Sequence, residues 1–240
     1  NLLTKFMPKI IYLIGPEGVG KSTNAKLLRY YLGRYYNRCV VIPRPEIRSR
    51  NLFVDVLARF LMRVGRVEYE VRPEGQAVRK VDSVFMGRVH DLWIFLELAG
   101  FLMAYFVKVL SAYLLGCDII LTRFHIDFLT DMVLLSRRAG KSFRLVSILA
   151  YVFLRPMFGI DAVIYLDAEY GELHKRYYIR RSTIIEPPWR IARLRAISRL
   201  FFNMLYRYND EYLDLMYIDT THMSLRQVFN QVFNKVRRFY

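Results

Sequence analysis

One stretch constrains the fold of this chain more than any other: Gly15-Pro16-Glu17-Gly18-Val19-Gly20-Lys21-Ser22-Thr23. It reads G-x-x-x-x-G-K-S. An apolar run, Ile10-Ile11-Tyr12-Leu13-Ile14, precedes it, and a helix-like stretch, Asn24 to Tyr31, follows it. A buried strand, a glycine turn and a helix in that order point backbone N–H groups inward around phosphate oxygens, and the helix N-terminus adds partial positive charge. Gly15, Glu17, Gly18, Val19, Gly20, Lys21, Ser22 and Thr23 are therefore the candidate nucleotide-contacting residues. Lys21 would reach the β- and γ-phosphates, and Ser22 would bind Mg²⁺. A glycine-rich turn without a ligand accounts for the glycines, but not for the Lys-Ser pair directly after them.

The rest of the chain repeats the alternation of strand and helix. Apolar β-type runs recur at Ile10–Ile14, Cys39–Ile42, Asp118–Leu121, Ala162–Leu166 and Met216–Ile218, with helix-like segments between them. That order predicts an α/β fold, a five-stranded and mostly parallel sheet with helices on both faces. Such sheets bind ligands beyond the carboxyl ends of their strands. The site candidates are then the Gly15 loop, Arg44-Pro45-Glu46, Thr122-Arg123 and Asp167, although Asp167 reads first as a cap or start of the helix after it. Glu186-Pro187-Pro188-Trp189 breaks the helical pattern and predicts a loop. It divides two arginine-bearing stretches, so a basic helical lid is expected over roughly 176–195. Ser224-Leu225-Arg226-Gln227 has capping-box form and predicts a last helix running to about Arg237.

No Gly/Ser linker, low-complexity segment or internal repeat divides residues 1–240, so a single domain is expected. The apolar fraction of 54% is enough for a large core. A net charge of +16 attracts nucleotides, nucleic acid or an acidic membrane surface without choosing among them. Part of it is local, in Lys175, Arg176, Arg180, Arg181, Arg190, Arg193, Arg195 and Arg199. No aromatic-plus-basic signature of RNA binding accompanies it, so nucleic acid is not the expected partner. Cys39 and Cys117 show neither zinc spacing nor a disulfide framework and fit a reduced, cytoplasmic protein. Asn1–Lys9 holds no long apolar run of the kind a secretory signal needs.

Leu92 to Gly116 is apolar and long enough to raise the question of a membrane span. Only Glu97 and Lys108 interrupt it. Their eleven-residue spacing, at about 100° per residue, is close to three full turns, so both charges share one face and His90 falls near the same line. The pattern predicts a buried helix with one wet edge. A span would put Lys21 and Arg123 on opposite sides of a bilayer; peripheral membrane contact stays open.

Taken together, these segments resemble the thymidylate kinase family of P-loop nucleoside monophosphate kinases, over nearly the whole chain. Gly15–Thr23 matches the family's loop. Asp118-Ile119-Ile120-Leu121-Thr122-Arg123-Phe124-His125 resembles the strand that ends in Asp-Arg-Tyr or Asp-Arg-His, and Ile164-Tyr165-Leu166-Asp167-Ala168-Glu169 resembles the fourth strand and its turn. Phe201 through Tyr212, then Tyr217-Ile218-Asp219-Thr220, resembles the last helix-to-strand passage. The resemblance implies a P-loop three-layer sandwich and a kinase that moves the γ-phosphoryl group of ATP, with Mg²⁺, to a phosphate-bearing acceptor. It also implies a homodimer formed through helices like Leu92–Gly116.

There are three departures, the first on the metal side and the others on the acceptor side. Thr122 stands where the family has Asp, Arg44-Pro45-Glu46-Ile47-Arg48 replaces Arg-Glu-Pro-Gly-Gly, and Phe101 stands where an arginine for the acceptor phosphate would fall. A divergent group of such kinase-like proteins accompanies surface-polysaccharide pathways, and the apolar middle and basic lid here look similar to it. Phosphoryl transfer needs positioning and charge neutralisation. Lys21, Arg123, Arg176 and Arg180 are the candidates for that role; Arg123 either bridges donor and acceptor phosphates or closes its strand end in a salt bridge. Arg44, Glu46, Phe101 and His125 would border the acceptor, and Ser22 and Glu46 the metal. Glu46 equally fits a helix N-terminal carboxylate, and His125 a structural hydrogen bond. A kinase with a sugar or lipid-linked acceptor and an ATP-binding regulatory protein with little turnover are the competing readings.

Overall fold

A computed structural model describes residues 7–42, 67–71, 77–81, 83–122, 125–138, 140–141, 160–180, 188–207 and 214–240. The strands are β1 Ile10–Ile14, β2 Val40–Val41, β3 Val67–Val71, β4 Ala77–Val81, β5 Asp118–Leu121, β6 Ile160–Asp167 and β7 Asp214–Asp219. The helices are α1 Lys21–Tyr36, α2 Ser83–Tyr105, α3 Ser111–Leu114, α4 His125–Arg138, α5 Tyr170–Arg180, α6 Pro188–Arg207 and α7 Leu225–Val236. A π-helical turn, Phe106–Leu110, joins α2 to α3.

Five strands form one parallel sheet in the order β2-β5-β1-β6-β7. They are the five that the apolar runs predict. The chain first builds one side of β1 and then the other, so β1 lies at the switch point of the sheet. Its residues are apolar without interruption because both of its faces are covered. Ile10, Tyr12 and Ile14 face a layer with Ile94 of α2, Phe128 and Leu129 of α4, and Phe201 and Phe202 of α6. Ile11 and Leu13 face a second layer with Leu28 and Leu32 of α1, Leu173 of α5, and Phe229 and Val232 of α7. The last helix carries the predicted capping box: Ser224 accepts from the Gln227 amide, and the Gln227 side chain accepts from Ser224.

Several expectations differ from the structure. An antiparallel hairpin, β3–β4, pairs Glu68 with Lys80 and Val71 with Ala77 in register. Its alternating sequences, Val-Glu-Tyr-Glu-Val and Ala-Val-Arg-Lys-Val, were signal enough, but they lie outside the apolar runs. Cys39 and Cys117 form a disulfide, with Cα atoms 4.6 Å apart. Val40 pairs with Asp118, so the cysteines stand opposite each other just before two adjacent strands, a juxtaposition that spacing along the chain does not reveal. The long apolar helix is not buried with one wet edge. Ile94, Val109 and Ala112 enter the core, while Leu92, Phe95, Met103, Val107 and Leu114 are exposed, because a helix apolar on nearly every side has only one side against the sheet. His90 is buried rather than on a wet edge, with Nε2 2.8 Å from Ser136 Oγ.

Pro188 already belongs to α6, since proline is tolerated in a first helical turn; the loop expected over Glu186–Trp189 is shorter on that side. At the opposite end of the sheet, buried Asp118 accepts from Lys9 N, both Nε and Nη2 of Arg38, and Tyr240 Oη at 2.7–3.0 Å. Burial and the neighbouring Asp118 both push the Tyr240 phenol up from its ordinary value.

Candidate functional site

The loop after β1 runs through a gap that admits no side chain at its first residue. Gly15 has φ 135°, and a β-carbon there would sit 1.9 Å from the carbonyl oxygen of Leu166 on β6. Gly18 and Gly20 also have positive φ, and Gly20 is the N-cap of α1. Glycine offers no side-chain cap, and the first turn of α1 holds no acidic residue. The first amides of α1 thus lack a side-chain partner at the cap, next to the positive end of the helix dipole.

Lys21 opens the helix, yet its side chain turns back into the loop. Nζ donates to the carbonyls of Gly15 and Pro16, the latter at 2.8 Å, and the residue is 6% exposed. Ser22 and Thr23 are exposed on the same first turn. Asn24, one residue further, is fully buried. Its Nδ2 donates to the Gly20 carbonyl at 3.0 Å, which fixes the orientation of the amide, and Oδ1 is left without a hydrogen-bond partner. Among the described residues it is the single buried side-chain polar atom in that state. Such a group costs free energy until a donor reaches it.

A cavity of about 240 Å³ adjoins the loop, lined by Gly18, Gly20, Asn24, Arg176, Met223 and Leu225 among others. Arg176 is tied into the wall. Nε donates to Glu172 at 2.9 Å, Nη1 to Thr220 Oγ1 at 3.0 Å and Nη2 to the Thr220 carbonyl at 2.8 Å. Thr220 in turn donates from both its amide and its hydroxyl to the Asp167 carbonyl. The ends of β6 and β7 are thereby laced together behind the cavity.

Asp167 does not cap α5, which starts three residues later. Its buried carboxylate accepts from Arg195 Nε at 2.8 Å, Arg195 Nη2 at 3.0 Å and Tyr217 Oη at 3.1 Å. The two parallel Arg195 bonds match the fork of a guanidinium to a carboxylate, a stronger arrangement than a helix cap provides. Burial, then the Asp167 charge, pushes the Tyr217 phenol up, and burial pushes up Tyr165, whose hydroxyl lies 3.1 Å from Ser198 Oγ. Asp219, at the end of β7, is held below the usual carboxylate range by hydrogen bonds from the Thr221 hydroxyl and amide.

Of the residues expected at the site, Gly15 through Thr23 and Arg176 come together around the loop and its cavity. Arg44, Glu46 and Arg123 lie outside the described residues, as do the side chains of Arg180 and His125. Phe101 packs on the α4 side of the sheet, its ring stacked on Phe128 with centroids 4.8 Å apart. Thr122 is buried at the end of β5. Asn24, Thr220, Met223 and Leu225 were not anticipated, although the rule that points beyond each strand applies equally after β7. No group of three or more His, Cys, Asp or Glu side chains able to hold a metal ion occurs among the described residues, and Ser22 and Thr23 carry the hydroxyls exposed at the helix start.

The fold and site define an α/β protein with a parallel sheet, and a glycine loop at its switch point. No protein-family model matches the chain, and no curated protein matches it.

Proposed function

We propose that this chain is an ATP-dependent kinase that transfers the γ-phosphoryl group to a nucleoside monophosphate, most simply dTMP to dTDP. One observation carries the reading: Lys21, the residue directly after the glycine turn, is held inside the loop by its carbonyls at the carboxyl end of the central strand. An ammonium with carbonyl partners there is poised to exchange them for phosphate oxygens. The residues fit the group. The loop is shaped by positive-φ glycines, the helix start is uncapped, and Asn24 Oδ1 has no donor.

In this reading the amides of Gly18 to Ser22 and Lys21 hold the β- and γ-phosphates. Ser22, with Glu46, holds Mg²⁺, which supplies charge neutralisation at the transferring group when bound. The adjoining cavity takes the nucleoside end. Asn24 Oδ1 meets a donor there, and the planar Arg176 group covers a base face, since its hydrogens are already engaged by Glu172 and Thr220. Arg123 and Arg180 remain for the charge that develops between donor and acceptor.

A second reading has the same donor half and a sugar or lipid-linked acceptor. The apolar stacking of Phe101 on Phe128 favours it, because that position cannot offer an acceptor phosphate a cation. The test offers purified protein ATP-Mg²⁺ with each nucleoside monophosphate and follows ADP release. Turnover with dTMP supports the first reading, and none with any monophosphate eliminates it. Lys21→Ala should weaken ATP binding on the order of a hundred-fold by removing a charge-assisted phosphate contact. Unchanged ATP binding in that variant would overturn both readings.

A further inference from the structure

We propose that the outer face of α2 and the turns after it docks the protein on the surface of an anionic membrane. Leu92, Phe95, Met103, Val107, Leu110 and Leu114 are 44–75% exposed. At about 100° per residue they fall within a sector about 120° wide, and the stripe runs about 33 Å along the helix. No exposed charged side chain interrupts it between Asp91 and Leu115 among the described residues, and Arg88, also exposed, stands one turn before Leu92 on the same side. The 18-residue apolar window within His90–Leu114 has a mean hydropathy of 1.8, and only 20% of it is buried. A continuous apolar surface of this length marks an interaction site.

The rest of the structure decides how that surface is used. The opposite face of the same helix contributes Ile94, Val109 and Ala112 to a core cluster with Ile119 and Leu121 of β5. Passing the helix through a bilayer would strip that cluster from the sheet, so the helix lies on the membrane and does not cross it. Charge selects the occupant. A second copy of the chain would bring a second net charge of +16 towards the first, whereas an anionic bilayer brings the opposite sign. Apolar side chains entering the acyl boundary, with cations at the headgroups, make the combination that interfacial helices use.

Flotation of the full chain with vesicles tests this. Phosphatidylcholine vesicles are compared with an equimolar phosphatidylcholine–phosphatidylserine mixture. The chain should bind the mixed vesicles, bind phosphatidylcholine alone more weakly, and be released progressively by salt. Phe95→Glu with Val107→Glu should weaken binding on the order of a hundred-fold, since two large apolar side chains no longer enter the acyl boundary. Unfolding of the double variant is checked by circular dichroism; if it occurs, Val107→Gln alone replaces it and should weaken binding by about ten-fold. Three results would overturn the proposal. One is no binding to mixed vesicles. A second is binding that folded variants retain unchanged. The third is a dimer, seen by light scattering without vesicles, that the same substitutions dissociate, which would assign the face to a second copy. The site loop is not involved, so Lys21→Ala should bind vesicles as the unaltered chain does.

Discussion

In Gly15→Ala the added β-carbon would lie 1.9 Å from the Leu166 carbonyl oxygen and 3.0 Å from its carbonyl carbon. The gap would have to widen by more than 1 Å to reach ordinary contact. Neither wall can yield easily. Leu166 is fully buried on β6, its strand neighbour Tyr165 is registered with Ile14, and Leu166 itself with Ile218 of β7. The backbone conformation adds to the conflict, because φ 135° suits glycine alone. Strain of about 1–3 kcal/mol and overpacking of about 1–3 kcal/mol sum to a loss of about 2–6 kcal/mol. That is a large share of the roughly 5–15 kcal/mol of a typical domain. Gly140 provides the control: its φ is +64° and nothing lies within 4 Å of a β-carbon there, so Gly140→Ala should cost only about 1 kcal/mol of backbone strain. Urea titration of both variants by circular dichroism measures the difference. If Gly15→Ala is no less stable than Gly140→Ala, the close approach of the loop to β6 is wrong.

Removing the partner of a buried carboxylate should be felt strongly: Arg195→Ala leaves the Asp167 carboxylate with Tyr217 alone among the described residues and should cost about 2–4 kcal/mol by urea titration, more than Asp167→Asn with Arg195→Ala relative to Asp167→Asn. Asp219 has a lowered folded-state value, so its contribution is complete above its ordinary value of 3.8 and is lost as pH falls through the lower folded value. Asp219→Asn should therefore narrow the stability difference between pH 5 and the acid limb, measured as melting temperature against pH, while Thr221→Val should do the same by removing the hydroxyl that lowers it. The Cys39–Cys117 bridge closes 78 residues of sequence, which loop entropy values at about 4.5 kcal/mol at most. Reductant should lower the melting temperature of the oxidised chain to that of Cys39→Ser and leave the variant unmoved.

The sheet was legible because parallel strands covered on both faces carry unbroken apolar runs, as β1 does throughout, β5 over 119–121 and β6 over Ala162–Leu166. The candidate site was legible only in its local part. Gly15 to Thr23 is contiguous, and its chemistry follows from residue order alone. The cavity wall is assembled from residues far apart in the chain: Asn24 on α1, Arg176 on α5, and Met223 and Leu225 after β7. Nothing in the neighbourhood of Asn24 along the chain says that its amide is buried, since that depends on α1 packing its Leu28 face against β1. The disulfide was hidden for the same reason, and the exposed stripe for a different one. The polar cue on that helix, Glu97 and Lys108 on one line, lies roughly opposite the exposed apolar stripe, so it marked the wrong side as wet.

The basic run from Lys175 to Arg199 shows how a sequence charge count can mislead about a site. Counted as residues, it offers eight cations to a phosphate ligand. Two of them already have specific duties. Arg176 spends its hydrogens on Glu172 and Thr220, and Arg195 forms two parallel bonds to buried Asp167. Both ties reach the ends of β6 and β7, so the helices on either side of 181–187 are anchored to the sheet at Thr220 and Asp167. A ligand that drew Arg176 or Arg195 away would have to replace those bonds, and in the case of Asp167 leave a buried carboxylate with one partner. Neither anchor is available to a bound phosphate without that exchange. Arg176→Lys separates the two duties: it keeps the charge and loses the fork to Thr220. If Arg176 acts as wall and anchor, this variant should weaken nucleotide binding nearly as much as Arg176→Ala; if it acts through charge alone, binding should be largely retained.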